Sequence, residues 1–173
     1  MELKLKTCRI RPWRKEDAVS LQRYADNRRI WLNLRDAFPH PYTMANAEFF
    51  LGLLAKEEPL ATFAIATESE AVGCIGLRLG VDVHRRTAEL GYWLGEPFWG
   101  RGMMTEAVVA FTTEAFRRYD LVRIFAEPFA SNTASIRVLE KAGFACEGRL
   151  RANVIKDGKI LDSFLYAKVR DDA

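Results

Sequence analysis

The chain has little of what metal, redox and membrane proteins need. Its 173 residues include only three cysteines and two histidines. Cys8, Cys74 and Cys146 are odd in number and contain no CxxC pair, so they read as reduced thiols of a cytoplasmic protein. His40 and His84 lie far apart without ligand spacing, and no metal site is expected. No apolar run approaches the ~18 residues of a membrane span. The opening MELKLKTCRIRP mixes charge with apolar residues and does not read as a signal peptide. Charge of one sign is also scarce, with a net of +3. The basic pairs Arg28-Arg29, Arg85-Arg86 and Arg117-Arg118 stand scattered among acids, which argues against nucleic-acid binding. A small positive excess suits a pocket for one polyanionic small molecule. Repeats, low-complexity segments and linkers are missing too, so one domain over 1–173 is expected, as a monomer or homodimer.

What is present is an ordinary globular composition, 49% hydrophobic and 28% charged. Period-two alternation over 4–12 predicts a strand ending at Pro12. A helix follows from Glu16-Asp17 to about Asp26, then an irregular aromatic and proline segment over 27–43, then a helix over 43–56. Strands over 60–67, 71–82 and 86–95 form an antiparallel meander. The remainder reads as a helix over 101–118, a strand over 121–128, a helix over 133–142, and strands over 144–156 and 159–169. Asp157-Gly158 between the last two is a hairpin signal, since its turn wants both φ angles positive. The fold class is α+β, a mostly antiparallel sheet of about seven strands with one parallel pair and about four helices.

The stretch PFWGRGMMTEA (97–107) changes from loop to helix halfway along. Met104, Ala107, Val108, Phe111 and Ala115 mark one buried helix face. Gly100 and Gly102 in front of it permit unusual φ and a close approach to backbone. The first N–H groups of a helix lack intrahelical acceptors and sit at the positive end of its dipole, so phosphate is a natural guest. Arg101 adds a full charge. A tight turn would use the same glycines. A dinucleotide-binding loop would want a third glycine where Thr105 stands. The second cluster, NTASIRVLEKAGF (132–144), opens a helix with Asn132 as N-cap and closes it with Gly143, letting Phe144 pack back on Leu139.

ELGYWLGEPFWGRGMMTEA (89–107) followed by NTASIRVLEKAGF (132–144) resembles the GNAT N-acetyltransferase superfamily, and within it the RimJ/RimL-type branch of ribosomal-protein N-terminal acetyltransferases. The resemblance spans most of the chain. It implies a GNAT fold whose central parallel strands, here 86–95 and 121–128, splay apart to admit acetyl-CoA. It places the pyrophosphate loop on Trp99, Gly100, Arg101, Gly102, Met103, Met104 and Thr105, and a CoA-contacting asparagine on Asn132. Pro97 stands where the superfamily often has Gln or Arg three residues before the first glycine. The freed amides of Leu94 and Gly95 become oxyanion-type donors. Glu89 is the preferred proton relay for the attacking amine, and Glu127 the second candidate. Leu139 occupies the position of the usual tyrosine acid, and Ser135 takes over as donor to the leaving sulfur. Trp31, Asp36, Phe38 and His40 are candidates for the acceptor mouth, or only cover the sheet. The branch favours a peptide or protein N-terminus as acceptor. A small amine is the alternative, and a non-catalytic acyl-CoA-binding module a more distant one.

Overall fold

The computed structural model describes residues 1–170. In chain order the elements are β1 (Leu3–Lys4), β2 (Arg9–Arg11), α1 (Ala18–Ala25), α2 (Arg28–Trp31), α3 (Met44–Leu54), β3 (Thr62–Ala66), β4 (Ala71–Leu79), β5 (Thr87–Leu94), α4 (Met103–Arg118), β6 (Arg123–Ala126), α5 (Thr133–Lys141), β7 (Ala145–Lys156) and β8 (Lys159–Val169). The strands form one mixed sheet in the order β1-β2-β3-β4-β5-β6-β8-β7. Every pair is antiparallel except β5 with β6. Among the described residues no helix is long and apolar enough to cross a membrane.

Burial explains the layering. Phe63 to Ala66 and Ala71 to Ile75 are apolar and buried at consecutive positions, so both faces of β3 and β4 must be covered. On one face α4 and α5 supply Met104, Ala107, Val108, Phe111 and Leu139, packed with Phe63, Ile75, Leu90 and Leu94. On the other, α1 and α3 supply Leu21, Ala25 and Ala47, with Tyr42 between them and Trp93 of β5 against them.

Local sequence rules hold where both partners are close in the chain. Asp157 (φ 51°) and Gly158 (φ 72°) turn the β7–β8 hairpin with both angles positive, as expected. Gly143 takes φ 83° after α5, and the Phe144 N–H donates to the Leu139 carbonyl at 3.0 Å. Two expectations need correction. The strand over 4–12 is broken into β1 and β2, because Glu106 of α4 accepts the N–H groups of Lys6 (2.8 Å) and Thr7 (3.0 Å) and holds a turn there. The segment 27–43 is not wholly irregular. Asn27 accepts from the Arg29 (2.8 Å) and Ile30 (3.3 Å) N–H groups, which caps the one-turn helix α2. The sheet thus has eight strands rather than about seven, and α2 makes a fifth helix.

The start of α1 is fixed to the sheet by a buried ion pair. Arg11 donates to both Asp17 oxygens, at 2.7 and 2.8 Å, and the same carboxylate accepts the Arg14 N–H at 2.8 Å. Those bonds to Asp17 raise the Arg11 pKa above its ordinary value. Removing one partner strands a buried charge, which typically costs ~3–5 kcal/mol, whereas replacing both by apolar groups costs far less. Asp17→Ala is therefore expected to lower the urea-unfolding free energy by about that amount. Arg11→Met with Asp17→Leu is expected to recover most of it.

Candidate active site

The parallel pair is short. β5 meets β6 only at Thr87↔Arg123, Ala88↔Ile124 and Glu89↔Phe125. Beyond Glu89, β5 continues to Leu94 beside β4 alone. The gap opens into a cavity of about 1770 Å³ that reaches from the segment 29–42 and α3 on one side to the glycine loop and α5 on the other.

The free edge of β5 can be read from its bonds. The Gly95 N–H donates to Val72 on β4 at 2.7 Å, so Gly95 is not available as a donor to the gap. N–H groups alternate in direction along an extended strand. Those of Leu94 and Tyr92 therefore face the open side, and the oxyanion expectation survives for Leu94 but not for Gly95. The Leu94 carbonyl on that same edge accepts the Trp99 indole N–H at 2.6 Å.

Side chains alternate in the same way, and this divides the site. Ala88, Leu90 and Leu94 join the core under α4 and α5, and Tyr92 packs against it. Trp93 faces α1 and α3 instead, which places Glu89 on that second face as well. On the first face, the Tyr92 hydroxyl lies 2.7 Å from Ser135 Oγ and 3.3 Å from the Ser135 carbonyl. Burial pushes the Tyr92 phenol up to about 12. Ser135 is where the sequence places a donor. Tyr92 was missed, because nothing local to GYW announces a partner 43 residues away.

The loop before α4 borders the cavity with all but one of its expected residues. Gly100 and Gly102 hold φ 74° and 78°, and a Cβ at either would meet nothing within 4 Å. The first helical bond is Glu106 N–H to Gly102 at 3.0 Å, which leaves the N–H groups of Met103, Met104 and Thr105 without acceptors inside the helix. Trp99, Gly100, Gly102, Met103, Met104 and Thr105 line the cavity, while Arg101 is exposed and off its wall. Across from the loop, Asn132 caps α5 by accepting the Ser135 N–H at 3.1 Å and also lines the cavity. Bare amides and open space beside two glycines fit a diphosphate.

The two candidate carboxylates differ. Glu89 stands at the vertex of the gap with one oxygen on Arg35 and the other on Arg78. Glu127 follows β6, lines the same cavity, and has no hydrogen bond or ion pair among the described residues. Ile124 and Ala126 belong to the α4/α5 core, so alternation turns Glu127 to the face that carries Glu89.

Of the four acceptor candidates, only Phe38 lies on the cavity wall, against Tyr42 and Trp93. Trp31 is covered by the Lys156 ammonium, 3.8 Å from its ring centroid. Asp36 binds that ammonium at 2.7 Å, and His40 stacks at the side of Trp31. Trp31 and Asp36 thus tie the segment to the β7–β8 hairpin, His40 packs on Trp31 with Asp26 3.6 Å away, and none of the three lines the opening. Among the described residues no group of three or more His, Cys, Asp or Glu could hold a metal ion.

Comparison with known proteins gives a consistent picture. The acetyltransferase (GNAT) domain family matches residues 8–145. A probable N-acetyltransferase of Bacillus subtilis, YjcK, is 37% identical over 107 residues, 62% of this chain and 59% of that one. A ribosomal-protein-serine acetyltransferase of Escherichia coli is 30% identical over 109 residues, 63% of this chain and 60% of that one. The matches thus span less than two thirds of these curated relatives. In three dimensions the chain superposes on RimL, a ribosomal L7/L12 alpha-N-protein acetyltransferase in complex with coenzyme A, with a TM-score of 0.88 at 20% identity over all of both chains. That likeness shows the shared fold.

The left-handed conformation of Gly102 makes a stability prediction independent of any ligand. Because a Cβ there meets no atom, Gly102→Ala is expected to cost only the backbone strain of a positive φ, about 1–2 kcal/mol in thermal unfolding. Gly102→Asn, which tolerates that region better, is expected to lose less.

Proposed function

Because the chain belongs to the GNAT acetyltransferase family, we propose that it is an acetyl-CoA-dependent N-acetyltransferase acting on a primary amine, the α-amine of a peptide or protein N-terminus. The reading takes 1–173 as one cytoplasmic domain, of which 171–173 lie outside the described residues. The observation that carries it is the parted β5–β6 pair, with diphosphate-type amides on one face and carboxylates on the other.

Acetyl-CoA, when bound, supplies an activated acyl carbonyl with a thiolate as leaving group. Met103, Met104 and Thr105 hold its diphosphate end, and Asn132, beside Ser135, meets the arm nearer the thioester. The Leu94 N–H donates to the acyl oxygen as negative charge builds on it. Glu127 receives the proton that the amine gives up in attacking the carbonyl carbon, since its carboxylate is unengaged while both Glu89 oxygens hold arginines. Glu89 anchors Arg35 and Arg78 at the vertex. Ser135 donates a hydrogen bond to the departing sulfur, which leaves as a thiolate. Tyr92, protonated throughout the neutral range, supports the serine hydroxyl from the other side.

The charge of the acceptor side favours a peptide over a polyamine. The cavity wall there mixes Arg29, Arg35 and Arg78 with Glu57, Glu58 and Glu89, which does not make the acidic slot a polyamine would need. The E. coli relative named above for a ribosomal-protein serine is consistent with such an acceptor.

The test is a panel of peptides and small amines with acetyl-CoA, read by thiol release and mass spectrometry. A +42 Da product on peptide α-amines with equimolar thiol is expected. A CoA-dependent rise in melting temperature with no thiol release from any amine would instead mark a non-catalytic acyl-CoA binder. In the same assay Glu127→Gln is expected to lower kcat by about 100-fold or more with CoA affinity unchanged, and Glu89→Gln by less. The reverse order would return the relay to Glu89.

A further inference from the structure

Many arginines of the chain rest on carboxylates, including Arg11, Arg35, Arg78 and Arg123. Two cations on the cavity wall do not. Arg137 and Lys141 both line the cavity, and neither has a hydrogen bond or ion pair among the described residues. They lie on α5 with Ala134 and Val138, the set 134, 137, 138 and 141 forming one helix face turned to the cavity. Like charges four residues apart disfavour a helix. Lys141 is partly compensated by its place in the last turn, where a cation meets the negative end of the dipole, but Arg137 sits too early for that.

What would compensate the pair is a dianion in the cavity beside α5. The amides of the glycine loop are neutral donors suited to a diphosphate, and Arg101, the cation that the sequence offers there, is off the wall. Coenzyme A carries one phosphate more than a diphosphate, a monoester on its ribose with nearly two negative charges at neutral pH. We propose that Arg137 and Lys141 form the subsite for that ribose phosphate, so that α5 reads the nucleotide end of the molecule while its N-terminus, through Asn132 and Ser135, faces the reacting end. Small Ala134, one turn earlier on the same face, leaves room for the chain between them. This assignment rests on the reading of the cavity as a CoA site.

Calorimetric titration of wild type and of Arg137→Ala/Lys141→Ala with CoA and with 3′-dephospho-CoA tests it. Both positions are exposed and alanine is a good helix former, so the variant folds, which its melting temperature checks. Wild type is expected to prefer CoA by about tenfold, a fair value for charge-assisted bonds at an exposed site. The variant should lose that preference while its affinity for the dephospho form stays the same, and the salt dependence of CoA binding should flatten. Equal binding of both ligands by wild type, or a preference that persists in the variant, would overturn the subsite alone. An equal loss for both ligands in the variant would show a structural role and overturn it as well. Failure of wild type to bind either ligand would sink the reading of the cavity itself.

Discussion

The site depends on two neighbouring strands ceasing to pair. β5 and β6 share a ladder for three residues and then part. Backbone groups freed inside a protein are costly, and a bare strand edge usually invites pairing with the wrong partner. Here the edge is managed piecemeal. The Leu94 carbonyl is taken by the Trp99 indole, and the Tyr92 side chain crosses to Ser135 on α5. That leaves the Leu94 N–H and both backbone groups of Tyr92 toward the gap, donors for an acyl oxygen and an acceptor for an amide N–H of the arm.

Once the strands part, the pleat of β5 assigns the work. Residues of one parity, Leu90, Tyr92 and Leu94, belong to the face that carries the glycine loop and α5. Residues of the other, Glu89 and Trp93, belong to the face of α1, α3 and the segment 27–43. A group threading the gap therefore meets hydroxyls on one side and carboxylates on the other. No long-range adjustment is needed to put hydroxyls and carboxylates on opposite sides of the gap; the two-residue period of a strand does it.

What the sequence makes legible follows from how far apart the partners lie. The Gly100/Gly102 turn, the Asn132 cap, the Gly143 stop and the Asp157-Gly158 hairpin are each decided within a few residues, and each stands as read. The misreadings involve distant partners. Nothing near 4–12 reveals that Glu106 will break the strand, and nothing near Gly95 reveals that Val72 will take its N–H. Trp31, Asp36 and His40 look like a mouth because they are aromatic, charged and irregularly spaced. Trp31 and Asp36 instead meet Lys156, on a hairpin more than a hundred residues on, and His40 meets Trp31. Tyr92 went unseen for the same reason.

Those distant ties bear on how an acceptor could be chosen. Consecutive residues of one loop are pulled to opposite walls, Arg35 to Glu89 at the vertex and Asp36 to Lys156 at the hairpin tip, with Arg28 joined to Asp157 beside it. The Lys156 side chain is only 2% exposed and lies on the Trp31 ring, so this end is fixed. The Arg35 side chain is 58% exposed, and its partner Glu89, itself 13% exposed, is shared with Arg78, so that losing Arg35 does not leave the carboxylate unpaired. The loop is thus anchored firmly at the hairpin and lightly at the cleft. An incoming ammonium group could replace Arg35 on Glu89 at small cost without disturbing the anchor. Selection would then fall to the fixed wall of Phe38, Tyr42 and Trp93 rather than to the charges at the entrance.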